Sequence, residues 1–136
     1  MRSTPRTRAT LTAVSFVTLC AIAVTAARAA SVLDFDVWMR AIDKHSVDVQ
    51  KNIDARKTEA AVADAQELTR LYGLMETYFV DDGHAADAVE MSRTGKTFAA
   101  AIAPALAARD YDAAAKAALD LSHACNDCHD VHKPFQ

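Results

Sequence analysis

The sequence predicts an all-α fold, an antiparallel four-helix bundle, and three observations predict it. Four stretches of roughly twenty residues carry apolar side chains at three- and four-residue spacing, and no segment reads as a strand. Only three Gly and three Pro occur in 136 residues, too few for a loop-dense all-β chain. Alanine, the best helix former, crowds the second half. The length supplies one domain and no second full-sized core.

The first helix is expected from about Leu33 to Lys57, with Asp34 as N-cap. Its stripe is Phe35, Trp38, Met39, Ile42, Ser46, Val49 and Ile53. The second starts near Thr58-Glu59 and buries Val62, Ala65, Leu68, Leu71, Tyr72, Met75, Tyr78 and Phe79. Asp81-Asp82-Gly83 ends it. The third runs from about His84 to Ala108 through Ala88, Val89, Met91, Ser92, Phe98, Ala99, Ile102 and Leu106, with Pro104 expected to kink or shorten it. Asp110 caps the fourth, which carries Tyr111, Ala114, Ala118, Leu121, Cys125, Cys128 and His132 on one side and closes at Pro134. So Ala-rich a helix predicts a thin core unless something bulky fills it. Gly73 and Gly95 are read as points of close approach, to a neighbouring helix or to a planar group.

Residues 1–29 read differently. Arg2, Arg6 and Arg8 precede an apolar run from about Ala9 to Ala27, and Ala27-Arg28-Ala29 is a small-x-small cleavage pattern. This is a secretory signal peptide in form, with an uncleaved anchor as the alternative. Cys20 is removed with it. Cleavage after Ala29 takes four of the 15 basic residues and none of the 18 acids, so the net charge moves from −3 to −7. The remaining domain, residues 30–136, is then exported to the periplasm with no stable membrane anchor. Such an acidic chain makes nucleic acid an unsuitable partner and favours encounter with basic ones.

The chemistry concentrates in Cys125-Asn126-Asp127-Cys128-His129. C-x-x-C-H is the attachment pattern of a covalent c-type haem. On a helix, thiols at i and i+3 share a face and reach two vinyl groups of one porphyrin, and an imidazole at i+4 from the first meets the iron. Two haem-free readings compete. One is a dithiol or disulfide module, although no strand precedes the pair as in thioredoxin-like proteins. The other is a zinc site from His123, Cys125, Cys128 and His132, whose crowding on one helix poorly suits tetrahedral geometry.

With His129 as one axial ligand, the opposite face of the iron needs a second or stays open. His123 and His132 share the helix of His129, and His84 adjoins a turn. Spacing leaves Met39, Met75, Met91 and His45.

A C-x-x-C-H near the C-terminus of an exported four-helix domain resembles the class II c-type cytochromes, the cytochrome c′ group. Met39-Arg40-Ala41-Ile42-Asp43-Lys44-His45 is similar to the Met-Lys-Ala-Ile-x-x-His run of many members. The resemblance implies that Met39 is the sixth ligand, as in the low-spin branch, that Ile42 packs on the same haem face, and that a homodimer forms through the first two helices. Lys133 matches a basic residue one turn after the haem His. Two positions depart from the pattern. Phe35 stands where many members carry an Arg near a propionate, leaving Arg40, Lys44, Arg93 or Lys96 to substitute. His132 replaces an aromatic and needs a partner or solvent.

The expected function is electron transfer by a periplasmic monohaem cytochrome with His129/Met39 ligation, serving redox partner proteins. No triad, paired-acid or phosphate-loop arrangement points to an enzyme. The alternative is a five-coordinate cytochrome c′-like binder of nitric oxide or carbon monoxide.

Overall fold

The computed structural model describes residues 30–132. Residues 1–29, read as a signal peptide, and Lys133 and Pro134 lie outside the described residues. Four helices follow one another: α1 (Val32–Asp54), α2 (Thr58–Asp82), α3 (Ala86–Ala107) and α4 (Tyr111–Val131). Each packs on its neighbours in chain order and α4 returns to α1, while the diagonal pairs stay apart. Short connections between long amphipathic helices dictate this square, alternating arrangement. Among the described residues no helix is long and apolar enough to cross a membrane.

The helix ends differ from expectation in instructive ways. Ser31, not Asp34, caps α1. Its hydroxyl accepts from the Asp34 N–H at 3.2 Å, and the Asp34 carboxylate accepts from the Ser31 N–H at 2.8 Å. Asp34 thus occupies the reciprocal position of a capping box. The first helix also stops three residues early, because Arg56 turns left-handed at φ 57°. There the Arg56 N–H bonds the Ile53 carbonyl and the Lys57 N–H that of Asn52, the Schellman pattern. The α3–α4 corner repeats it with Arg109 at φ 59°. Gly83 at φ 70° ends α2, so His84 lies outside the third helix, which starts at Ala86. Pro104 does not stop α3, which runs three residues further. Asp110 caps α4 as expected, accepting from the Ala113 N–H at 2.9 Å.

A side chain at a left-handed C′ position costs about 1 kcal/mol that glycine avoids. Arg109→Gly is therefore expected to raise stability by about 0.5–1 kcal/mol, read as a higher denaturant midpoint with unchanged slope.

The two halves of the bundle are packed differently. At the end holding the α1–α2 and α3–α4 corners, Val49, Ile53, Leu68, Ile102, Leu106, Ala114, Ala118 and Leu121 form a closed core. Tyr111 donates or accepts a hydroxyl bond with Thr58 at 2.8 Å beneath the Arg56 guanidinium, 4.0 Å from the ring. The alanines of α4 belong to this filled half. The thin core expected beside them is absent there; the open space lies further along α4, beyond Leu121.

One polar network spans α1 and α2. Asp64 is buried, and its carboxylate takes the His45 imidazole at 2.7 Å and the Asn52 amide at 2.8 Å. Asp64 sits on an apolar helix face that periodicity assigned to core without it. Removing it leaves two oriented polar groups unpaired, so Asp64→Ala is expected to cost about 2–3 kcal/mol in denaturant unfolding.

Candidate functional site

The half of the bundle opposite the closed core holds a cavity lined by all four helices, with about 760 Å³ of empty space counting that at its mouth. Most of its lining comes from α1 and α4, the neighbouring pair in loosest contact. From α4 come Cys125, Cys128 and His129, with Ser122, Ala124 and Asn126 beside them. From α1 come Met39, Ile42, Asp43, Ser46 and Val47; from α2, Tyr72 and Met75; from α3, Met91 and Ser92. All five residues singled out from the sequence for a cofactor thus line one cavity. Antiparallel topology explains the convergence: the N-terminal halves of α1 and α3 lie beside the C-terminal halves of α2 and α4.

Three of the four candidates for a second axial ligand share the cavity, and one does not. His45 is turned onto Asp64 and is absent from the lining. His84 projects from its turn into solvent, its side chain 90% exposed. The zinc set is not assembled. His132 hydrogen-bonds Asp87 at 2.8 Å, His123 is exposed, and the described residues hold no group of three or more His, Cys, Asp or Glu able to bind an ion.

Both thiols are free and half-buried. Burial pushes the Cys125 thiol above its ordinary pKa, against the opposing hydrogen bond from Tyr72 and the nearby Ser46 hydroxyl. Burial also raises Cys128, with the charges of Cys125 and Asp87 acting in the same direction. The Tyr72 hydroxyl lies 2.9 Å from the Cys125 sulfur. That phenol is buried, and desolvation, then Cys125, hold its pKa far above the usual value. Ser46 reaches the same neighbourhood, but its buried hydroxyl oxygen makes no hydrogen bond of acceptable geometry.

The position of Tyr72 depends on Gly95, buried on α3. A Cβ at Gly95 would stand 2.3 Å from Cε1 and 2.6 Å from Cζ of the Tyr72 ring. Gly73 meets only the end of Lys96, at 3.9 Å. Of the two glycines read as points of approach, Gly95 admits a side chain of the neighbouring helix.

Aromatic groups cluster at the start of α1 and the end of α2. Phe35 stacks on Tyr78 with centroids 4.9 Å apart and meets Phe79 edge-on at 5.5 Å; Phe79 lies 6.5 Å from the His132 ring. His132 finds the partner its polar ring needs in Asp87, and so clips the end of α4 to the start of α3. That hydrogen bond holds the Asp87 carboxyl below the usual range. Its contribution is present above the ordinary carboxylate pKa and is lost as pH falls through the depressed one. The four basic residues named for a propionate are ion-paired elsewhere: Arg40 with Asp36, Lys44 with Asp48, and Arg93 and Lys96 with Glu76. None lines the cavity.

Sequence reasoning placed Tyr72 in the core without its hydroxyl contact, and it missed Ser46 as a lining group. Only the i−3 spacing of Tyr72 from Met75 put it on the relevant face. Comparison with protein-family models, curated proteins and solved structures finds no match for the chain.

Proposed function

We propose that this chain is a periplasmic c-type cytochrome that carries single electrons between redox partner proteins. The observation that carries the reading is the convergence of Cys125, Cys128 and His129 with Met39 and Ile42 on one cavity in an otherwise filled bundle. The donor set fits a covalently held haem. Two thiols and an imidazole come from adjacent turns of one helix, and thioethers of three other helices share the space. The buried Ser46 hydroxyl is left for a group the protein does not supply.

Cys125 and Cys128 would hold the ring by thioether bonds, and His129 of α4 and Met39 of α1 would ligate the iron. Bound in this way, the haem iron supplies the one-electron ferric/ferrous couple, and His/Met ligation favours the ferrous state. Ile42, buried one turn from Met39, presents apolar surface and excludes water from that side.

Raised thiol pKa values argue against a dithiol exchange module, whose reactive cysteine has a lowered one. The test is intact-mass and visible spectroscopy of the full chain matured in a host with a c-haem attachment system. One added haem with low-spin bands that carbon monoxide leaves unchanged is the expected result. No added mass defeats the proposal, and high-spin bands that shift with the gas replace electron transfer by gas binding.

A further inference from the structure

We propose that the closed end of the bundle carries an oxyanion site for a phosphate group, held by the guanidiniums of Arg56 and Arg109 with the hydroxyls of Thr58 and Tyr111. The site lies at the end away from the cavity of Cys125 and His129, and it goes beyond the haem reading without resting on it. A surface cleft there runs between the α1–α2 and α3–α4 corners, lined by Arg56, Thr58, Leu106, Ala107, Arg109 and Tyr111. Its lining holds two cations and no acid, in a chain whose acids outnumber its bases by 18 to 15. Elsewhere the bases are matched. Arg40, Lys44, Arg70, Arg93, Lys96 and Lys116 each face a carboxylate of the protein. Among the described residues, no carboxylate stands within ion-pairing distance of Arg56 or Arg109. Asp110, beside Arg109 in the chain, is turned onto the Ala113 N–H, and neither it nor Glu59 nor Asp112 lines the cleft.

The donors are already arranged. The Arg56 guanidinium lies 4.0 Å over the Tyr111 ring; stacking uses its face and leaves its N–H edge for a ligand. Thr58 and Tyr111 share one hydrogen bond at 2.8 Å, which takes one of their two hydroxyl hydrogens and leaves the other to donate. α2 begins at Thr58 with no side-chain cap, so its first N–H groups add the positive end of the helix dipole. Both arginines stand at left-handed corners, φ 57° and 59°, where the end of α2 uses Gly83. Glycine at either would ease the backbone and remove a cation. A carboxylate presents two oxygens in one plane and is served by a single guanidinium fork. A phosphate spreads its oxygens tetrahedrally and engages donors of both corners at once. The group is free phosphate or the phosphate of a lipid headgroup.

The test follows the backbone amide NMR signals of the full-length protein at neutral pH, as sodium phosphate replaces sodium chloride at constant ionic strength. Saturable shifts at Thr58, Glu59 and Tyr111 are expected with phosphate and not with chloride. Arg56→Gln and Arg109→Gly are each expected to raise the dissociation constant about tenfold or more, the loss of a charge-assisted bond. Arg109→Gly is the sharper of the two, because it is also expected to raise stability, so weaker binding there is not a loss of fold. A second arm measures cosedimentation with phosphatidylcholine vesicles, with and without phosphatidylglycerol. Saturation by inorganic phosphate assigns the site to the free anion. Binding that needs phosphatidylglycerol and is lost in both variants, without saturation by inorganic phosphate, assigns it to a lipid headgroup. Shifts that chloride reproduces, an affinity unchanged in either variant, or no binding of either probe overturns the proposal.

Discussion

Met39→Leu is expected to turn a low-spin spectrum insensitive to carbon monoxide into a high-spin one that shifts with the gas, and to lower the reduction potential. The argument is geometric first. Met39 on α1 and His129 on α4 line the same cavity, from two neighbouring helices. Leucine keeps the volume and the apolar character of the thioether, so packing changes by under about 1.5 kcal/mol while the sulfur donor is lost. Thioether ligation stabilises ferrous iron, which gives the direction of the potential change. Met75 and Met91 share the lining, so the same substitution at each is the control. If Met39→Leu stays low-spin and one of the others does not, the sixth ligand comes from α2 or α3. His45 is no longer a competitor, because Asp64 holds its ring outside the cavity.

The legible part of this structure is what local periodicity encodes. Apolar residues at three- and four-residue spacing mark a helix face, and Ile42, Val49, Leu68, Leu71, Ile102, Leu106 and Leu121 all lie buried where that spacing put them. The C-x-x-C-H turn was readable because its geometry needs only one helix. Features that depend on two helices at once were not. Ser31 displaced Asp34 as N-cap because the reciprocal bond uses both residues, and either alone looks like a cap. Asp64 reads as a surface acid until His45 and Asn52 arrive from α1. The alanines of α4 suggested space beside themselves, but leucines and isoleucines of α2 and α3 fill that half. The cavity falls instead where Ser46, Ser92 and Ser122 stand in the lining in place of large aliphatic groups. Nor did charge reveal which cations are spoken for, since Glu76 on α2 gathers both Arg93 and Lys96 from α3.

Gly95→Ala is the substitution with the largest expected effect on the fold beside the cavity. Its Cβ would lie 2.3 to 2.7 Å from three atoms of the Tyr72 ring, closer than any real methyl contact. The ring is not the far end of a flexible chain that swings aside cheaply. It is buried between α2 and α3, and moving it means opening the interface or leaving its preferred rotamer. Overpacking of this kind costs about 1–3 kcal/mol, which the better helix propensity of alanine offsets only in part, by about 1 kcal/mol. Net destabilisation in denaturant unfolding is therefore expected, despite a substitution that stabilises most exposed helices. The same displacement draws the phenol off the Cys125 sulfur. Gly95→Ala and Tyr72→Phe should accordingly be non-additive in denaturant unfolding, because each removes the same bond. A variant as stable as the parent would mean that the Tyr72 ring is free to pack elsewhere and that Gly95 does not seat it.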